Sequence, residues 1–344
     1  MIHKVSQRCR AENICGPGII KKQTDKSFTL LSGCTIEKEE QNMYGNSQEN
    51  AQLSLLNYIE TSIRNALLEE VYTTPKPGLV DQYDTGAHTD MDCRLFEKSA
   101  TAITPYLKQM FYTGLEWHQN PPDLFRTIRK TGIYAEKAMF RATDGVNTHK
   151  GAIFTMGILS ASAGKMYAEY GYFPISRILQ YTSEMTKEVL EREFLRMEKR
   201  EPATYGEKLY REYGERGIRG QAQLGFPVLA LTAYPNLSYS RRHGYDLNKS
   251  NINTLLCTIA ELNDTNILAR SSYNDLKWIK HKAVMSLKRG GAFTASGMKQ
   301  LVEMNQECIW RNISPGGSAD ILAAAIFLWK LEHLNEELKN ENQN

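Results

Sequence analysis

From Ala51 onward, apolar residues recur every three or four positions in nearly every long segment, and this constrains the fold more than any other feature. In LSLLNYIETSIRNALLEEV, Leu55, Ile59, Ile63, Leu67 and Val71 fall four apart and make one face. DLFRTIRKTGIYAEKAMF, AIFTMGILSASAGKMYAEY, the segment from Ile175 to Met197, TLLCTIAELNDTNILAR and SADILAAAIFLWKLEHL read the same way. Alternating strand patterns bounded by turns are scarce, and no repeat of fixed period is present. The pattern predicts an all-α fold, a single compact domain of about ten helices over residues 49–338. Residues 1–48 are rich in Lys, Glu, Gln and Asn and are expected as a flexible extension, with a strand pair around SFTLLSGCTI as the other reading. Residues 339–344 form a polar tail.

Composition narrows the function. With 41% hydrophobic and 24% charged residues, a chain of 344 can bury a large core. The net charge of +3 lacks the basic stripe of a dedicated nucleic-acid binder. No apolar run approaches the ~18–20 residues of a membrane span. The amino terminus, MIHKVSQRCRAEN, lacks the apolar core of a secretory signal, so a cytoplasmic protein is expected. Six scattered cysteines without a CxxC pair indicate neither a zinc site nor a disulfide framework.

The informative residues break the helical rule. TPKPGLVDQYDTGAHTDMD (74–92) is punctuated by proline and glycine, so it reads as a turn-rich connection. It gathers Asp81, Asp84, Asp90 and Asp92 around His88, with Lys76 nearby. Asp92 is placed to cap the next helix, and Asp84 to close a turn. In DGVNTHKGAIF, Asn147 or Thr148 can cap a helix that opens with His149 and Lys150. Bases at a helix start oppose the dipole, which makes sense if that end faces a phosphate. YGERGIRGQAQLGF spaces Arg216 and Arg219 between glycines, a setting in which arginine can grip a phosphate, though no P-loop is present.

AELNDTNILAR sets Asp264, Thr265 and Asn266 within an apolar helical pattern, with Arg270 beyond; a helix break with a capping aspartate is the alternative. In SPGGSADILAAAIFL, Ser314 can cap and Pro315 suits a first turn. Gly316, Gly317 and Ser318 would leave backbone N–H groups open to an anion, and Asp320 shares a face with Ala323, Ala324 and Phe327. A carboxylate on an apolar face is costly unless paired or metal-bound. This inventory suits a polyphosphate held through Mg²⁺ in a helical enzyme acting on a nucleotide.

TPKPGLVD with GAHTDMD, GVNTHKGAIF, TYGEKLYREYGERGIRGQAQLGFP, DTNILAR and SPGGSADILA, in this order, resemble the motif series of triphosphoribosyl-dephospho-CoA synthases. The resemblance covers residues 50 to 335. It implies an all-α transferase that moves the triphosphoribosyl group of ATP to the 2′-hydroxyl of 3′-dephospho-CoA and releases adenine. It also implies that the product serves the acyl carrier subunit of citrate lyase, or of malonate decarboxylase in a related branch. The motif residues carry over as PKPG and Asp81, His88 and Asp90, Asn147 to Lys150, Arg219, Asp264 with Asn266, and Ser314 to Asp320; ranked by the chemistry of the reaction, His88, Asp90, His149 and Asp264 are the catalytic candidates. Lys76, Gly78, Asn147, Lys150, Arg219, Asn266, Arg270, Ser314, Gly316, Gly317 and Ser318 are the substrate-binding candidates. Asp81, Asp84, Asp264 and Asp320 are the Mg²⁺ candidates. The chain departs from the family pattern at Gln221, where members often carry glutamate, and in ARSSY, which lacks a glycine pair after Arg270. Rival readings are a metal-dependent helical phosphohydrolase and a nucleotide-binding regulator; a homodimer is compatible with all three.

Overall fold

The computed structural model describes residues 33–341, with side chains described over 50–336. Residues 1–32, which carry most of the expected extension and the first part of the expected strand pair, lie outside the described residues. The described residues form α1 (Gly33–Tyr72), α2 (Cys93–Leu115), α3 (Pro121–Ala142), α4 (Lys150–Tyr170), α5 (Ile175–Met197), α6 (Tyr205–Tyr213) and α7 (Gly217–Gln223). These are followed by α8 (Tyr234–Arg242), α9 (Leu247–Glu261), α10 (Thr265–Arg270), α11 (Tyr273–Lys288), α12 (Ala295–Trp310) and α13 (Gly316–Glu341), with no strand among the described residues. The all-α expectation holds.

Local chemistry sets several of the helix starts. Asp92, Asn120, Thr204, Asp246, Ser272 and Thr294 each accept a backbone N–H from the first turn of the helix that follows. The face foreseen on α1 is inward, with Ile59, Ile63, Leu67 and Val71 fully buried.

Gln52–Asn344 forms one compact unit. Within it α4 is the central element, packed against α2, α3, α5 and α13. Its small residues explain why. A Cβ at Gly114 of α2 would collide with the Ala161 carbonyl, and one at Gly164 of α4 with that of Phe111, so the two backbones touch. A second group, α8, α9 and α11, packs around α9, and α13 lies against both groups. Residues Ile321 to Leu328 of α13 are all buried.

The sequence pattern runs α9 and α10 together, whereas the chain breaks between Glu261 and Thr265. Asp264 sits in that break as the N-cap of α10, its Oδ1 accepting the Asn266 N–H at 2.9 Å. Asn263 to Asn266 are poor helix formers, and their preference for capping geometry prevails over the apolar period.

Candidate active site

One cavity of about 370 Å³ is lined by the 74–92 loop, the start of α4, α10 and the start of α13. It brings together Lys76, His88, Asp90, Asn147, His149, Lys150, Asn266, Arg270, Ser314, Gly316 and Asp320, residues up to 244 positions apart in sequence.

The loop is shaped by its own aspartates. Asp81 is buried, and its Oδ1 accepts the N–H groups of Tyr83 (2.8 Å) and Asp84 (2.9 Å). Its Oδ2 accepts the Lys76 N–H at 3.0 Å. Asp84 accepts the Gly86 N–H on Oδ1 and the Asn305 amide on Oδ2 at 2.6 Å. Their oxygens hold loop backbone and the Asn305 amide, and neither side chain, expected as a metal ligand, lines the cavity. Gly78 is likewise structural: its φ is +70°, and a Cβ there would collide with the Ile313 carbonyl oxygen. Lys76 is 1% exposed, and its ammonium binds the carboxylate and carbonyl of Glu70.

At the start of α13 the Gly317 and Ser318 N–H groups, expected to be open, are turned to Asp264. Asp264 Oδ2 accepts both the N–H (2.8 Å) and the hydroxyl (3.1 Å) of Ser318. The anion at this helix start is the protein's own buried carboxylate, joining α10 to α13. Burial raises the Asp264 pKa, opposed by these hydrogen bonds. Gly317, Ser318 and Asp264 thus frame the cavity from behind, without lining it.

Asp320 does line it. The residue is deep in the protein with its residual exposure towards the cavity, and it forms no ion pair among the described residues. Burial, then the nearby charges of Glu70 and Asp264, push its pKa well above the carboxylate range, while the Ala152 N–H opposes the shift. Burial raises Glu70 as well, against the pull of Lys76.

The two histidines differ. His88 is held at both ring nitrogens, Nε2 to Ser314 Oγ at 2.8 Å and Nδ1 to Arg270 Nη1 at 3.3 Å. Arginine can only donate, so Nδ1 accepts and the ring proton lies on Nε2. Burial, then Arg270, lowers the His88 pKa, with Asp90 opposing at 3.8 Å. Arg270 also donates to the Ala87 carbonyl and to Asn312 Oδ1 at 2.6 Å. His149 is buried, and burial lowers its pKa to about 3, so it is neutral at working pH. Its Nδ1 meets Ser99 Oγ at 2.7 Å, the Ser99 oxygen accepts the Thr148 hydroxyl at 2.7 Å, and Phe96 packs edge-on against the ring. Nε2 is buried and has no hydrogen-bond partner.

Arg219 is not in this cavity. It lines a second one of about 350 Å³ that shares Lys150 and Gly151 with the first. Arg216 is structural, bound to Glu191 and Gln223 and stacked over Phe194. Gln221 also lies elsewhere, its Oε1 accepting the Val228 N–H at 3.1 Å. Sequence reasoning missed Glu70 and Ser99. Glu70 could have been found, because it lies three residues after Leu67 and seven after Ile63 on the apolar face of α1. Ser99 carries no comparable signal.

No helix among the described residues is long and apolar enough to cross a membrane. The family described as ATP:dephospho-CoA triphosphoribosyl transferase matches residues 56–339. The chain is similar to a probable 2-(5″-triphosphoribosyl)-3′-dephosphocoenzyme-A synthase of Citrobacter koseri, 36% identical over 78% of this chain and 89% of the relative. A 2-(5″-triphosphoribosyl)-3′-dephosphocoenzyme-A synthase of Escherichia fergusonii matches to the same identity and coverage. A probable synthase of the same name from Malonomonas rubra is 36% identical over 79% of this chain and 87% of its own length. No solved structure matches the chain. The order of the motif blocks, the convergence of four of the five on one cavity and these matches agree: the chain belongs to the ATP:dephospho-CoA triphosphoribosyl transferase family.

Proposed function

We propose that the chain transfers the triphosphoribosyl group of ATP to the 2′-hydroxyl of 3′-dephospho-CoA with release of adenine, and that the polar cavity takes the ATP. The observation that carries this reading is the meeting of His149, Arg270, Asn266 and Asp320 in one cavity from three separate parts of the chain. Breaking the bond between adenine and ribose builds positive charge on the sugar. Asp320, whose raised pKa keeps a proton on it until positive charge arrives, would supply the carboxylate that stabilises it. His149 offers a neutral imidazole with an unpartnered Nε2 to the departing base or a phosphate oxygen. Lys150 and Arg270 hold phosphate at the rim, and His88, fixed by Ser314 and Arg270, positions that arginine.

Mg²⁺ fits this site in part. Among the described residues no three His, Cys, Asp or Glu side chains are grouped to hold a metal directly. Asp320, without an ion-pair partner among the described residues, suits an ion that brings its own waters and phosphate ligands and would displace its proton. Asp320 with Glu70 would face it, and the ion would neutralise the triphosphate. The product would pass to the acyl carrier subunit of citrate lyase or of malonate decarboxylase, and the protein would work in the cytoplasm. Chromatography with mass detection on ATP, Mg²⁺ and the protein, with and without dephospho-CoA, tests the reading. Adenine release that depends on dephospho-CoA is expected; phosphate release without adenine would make it a hydrolase.

A further inference from the structure

The second cavity differs in character from the first. Its walls are Phe125, Ile133, Phe154, Leu190 and Ile218, and Arg219 stands among them. Among the described residues Arg219 has no carboxylate partner; its guanidinium touches Met197 Sδ at 3.9 Å. The neighbouring Arg129 is paired with Glu193 and Lys150 with Glu136, so Arg219 is the unneutralised arginine here. Phe125 and Phe154 meet edge to face with ring centroids 6.3 Å apart. Gly132 adds space, since a Cβ there would meet only Met110 Cε at 3.7 Å. The first turn of α4, at Lys150 and Gly151, is the partition between the two cavities.

We infer that this second cavity binds the adenosine end of the acceptor, dephospho-CoA, with Arg219 on its 5′-diphosphate. The inference rests on the proposed transfer reaction. The attacking hydroxyl belongs to the ribose that carries adenine at C1′ and the diphosphate at C5′, so the base and the diphosphate both lie within one sugar ring of the reacting oxygen. The pantetheine arm begins beyond the diphosphate. A cavity separated from the donor by one turn of helix must therefore hold this end of the acceptor if the 2′-hydroxyl is to reach across Gly151. Its apolar and aromatic walls suit a flat heterocycle, and a guanidinium binds a diphosphate through paired N–H groups.

The test is steady-state adenine release at saturating ATP with dephospho-CoA varied, on the wild type, Gly132→Leu and Arg219→Gln. Gly132→Leu fills the cavity and is expected to raise the KM for dephospho-CoA about tenfold or more, with the KM for ATP and kcat within a few-fold of wild type. Arg219→Gln, on the surface side of the cavity, is expected to act in the same direction and does not depend on Gly132→Leu folding. An unchanged KM for dephospho-CoA in both variants would overturn the inference, as would a rise confined to the KM for ATP. Competition by 4′-phosphopantetheine that Gly132→Leu abolishes would overturn it too, by assigning the cavity to the arm. If the wild type releases no adenine, the transfer reading fails. Calorimetric titration with dephospho-CoA alone then decides the site: weakened binding in Gly132→Leu supports it, and unchanged binding overturns it.

Discussion

Gly151 and Asp320 are in contact in such a way that no side chain fits between them: a Cβ on Gly151 would collide with Asp320 Oδ2. The turn of α4 that divides the two cavities is thus pressed directly against the carboxylate of α13. Gly151→Ala should displace Asp320 and lower kcat/KM by about 10²-fold, since misplacement near 1 Å costs that much. Steady-state kinetics beside a thermal melt check this, and the melt should move only slightly.

The native structure disfavours the charged form of Asp320. Asp320→Asn should raise the melting temperature at neutral pH while abolishing turnover. The sign follows from its raised pKa. The folded protein holds a proton there that the unfolded chain releases near pH 4, so native stability falls as pH rises through the folded value. The gain from asparagine should shrink as pH is lowered towards 4, which differential scanning calorimetry at several pH values would reveal.

His149 acts in the opposite sense. Its folded pKa of about 3 lies below the ordinary 6.5. Between those values the unfolded chain takes up a proton that the native one refuses, so stability is lost as pH falls from 6.5 towards 3. His149→Gln should flatten that acid limb by about 1 kcal/mol per pH unit. Ser99→Ala, which leaves the imidazole but releases its tautomer, should lower kcat about tenfold with little change in KM.

Asp81 and Asp84 should behave as scaffolding. Asp81→Ala strands three backbone N–H groups in a buried loop and should cost about 3 kcal/mol or more of stability, read by denaturant unfolding. Gln221→Glu should leave kcat within a few-fold of wild type, because the side-chain oxygen that accepts the Val228 N–H is kept.

The helical fold and the blocks that build the cavity were legible because periodicity and misplaced polarity are properties of residue order. The roles inside the blocks were less so. Asp81, Asp264 and Asp320 look alike in sequence, each a carboxylate among apolar neighbours. What separates them is which lone pairs the backbone uses: three loop N–H groups for Asp81, two helix starts for Asp264, and chiefly the Ala152 N–H for Asp320. That sharing is settled only when distant segments meet. Ser99 was silent for the same reason, since its importance lies wholly in the ring 50 positions away.

The backbone contacts at Gly114–Ala161 and Phe111–Gly164 give α4 no room to slide against α2. On the proposed reading, both substrate positions are then gauged from one spacer. A larger residue anywhere along that contact would shift the whole helix and blur recognition of donor and acceptor together, whereas a change at either rim would touch one alone. Damage to this protein should accordingly fall into two kinds, separable by whether one Michaelis constant moves or both.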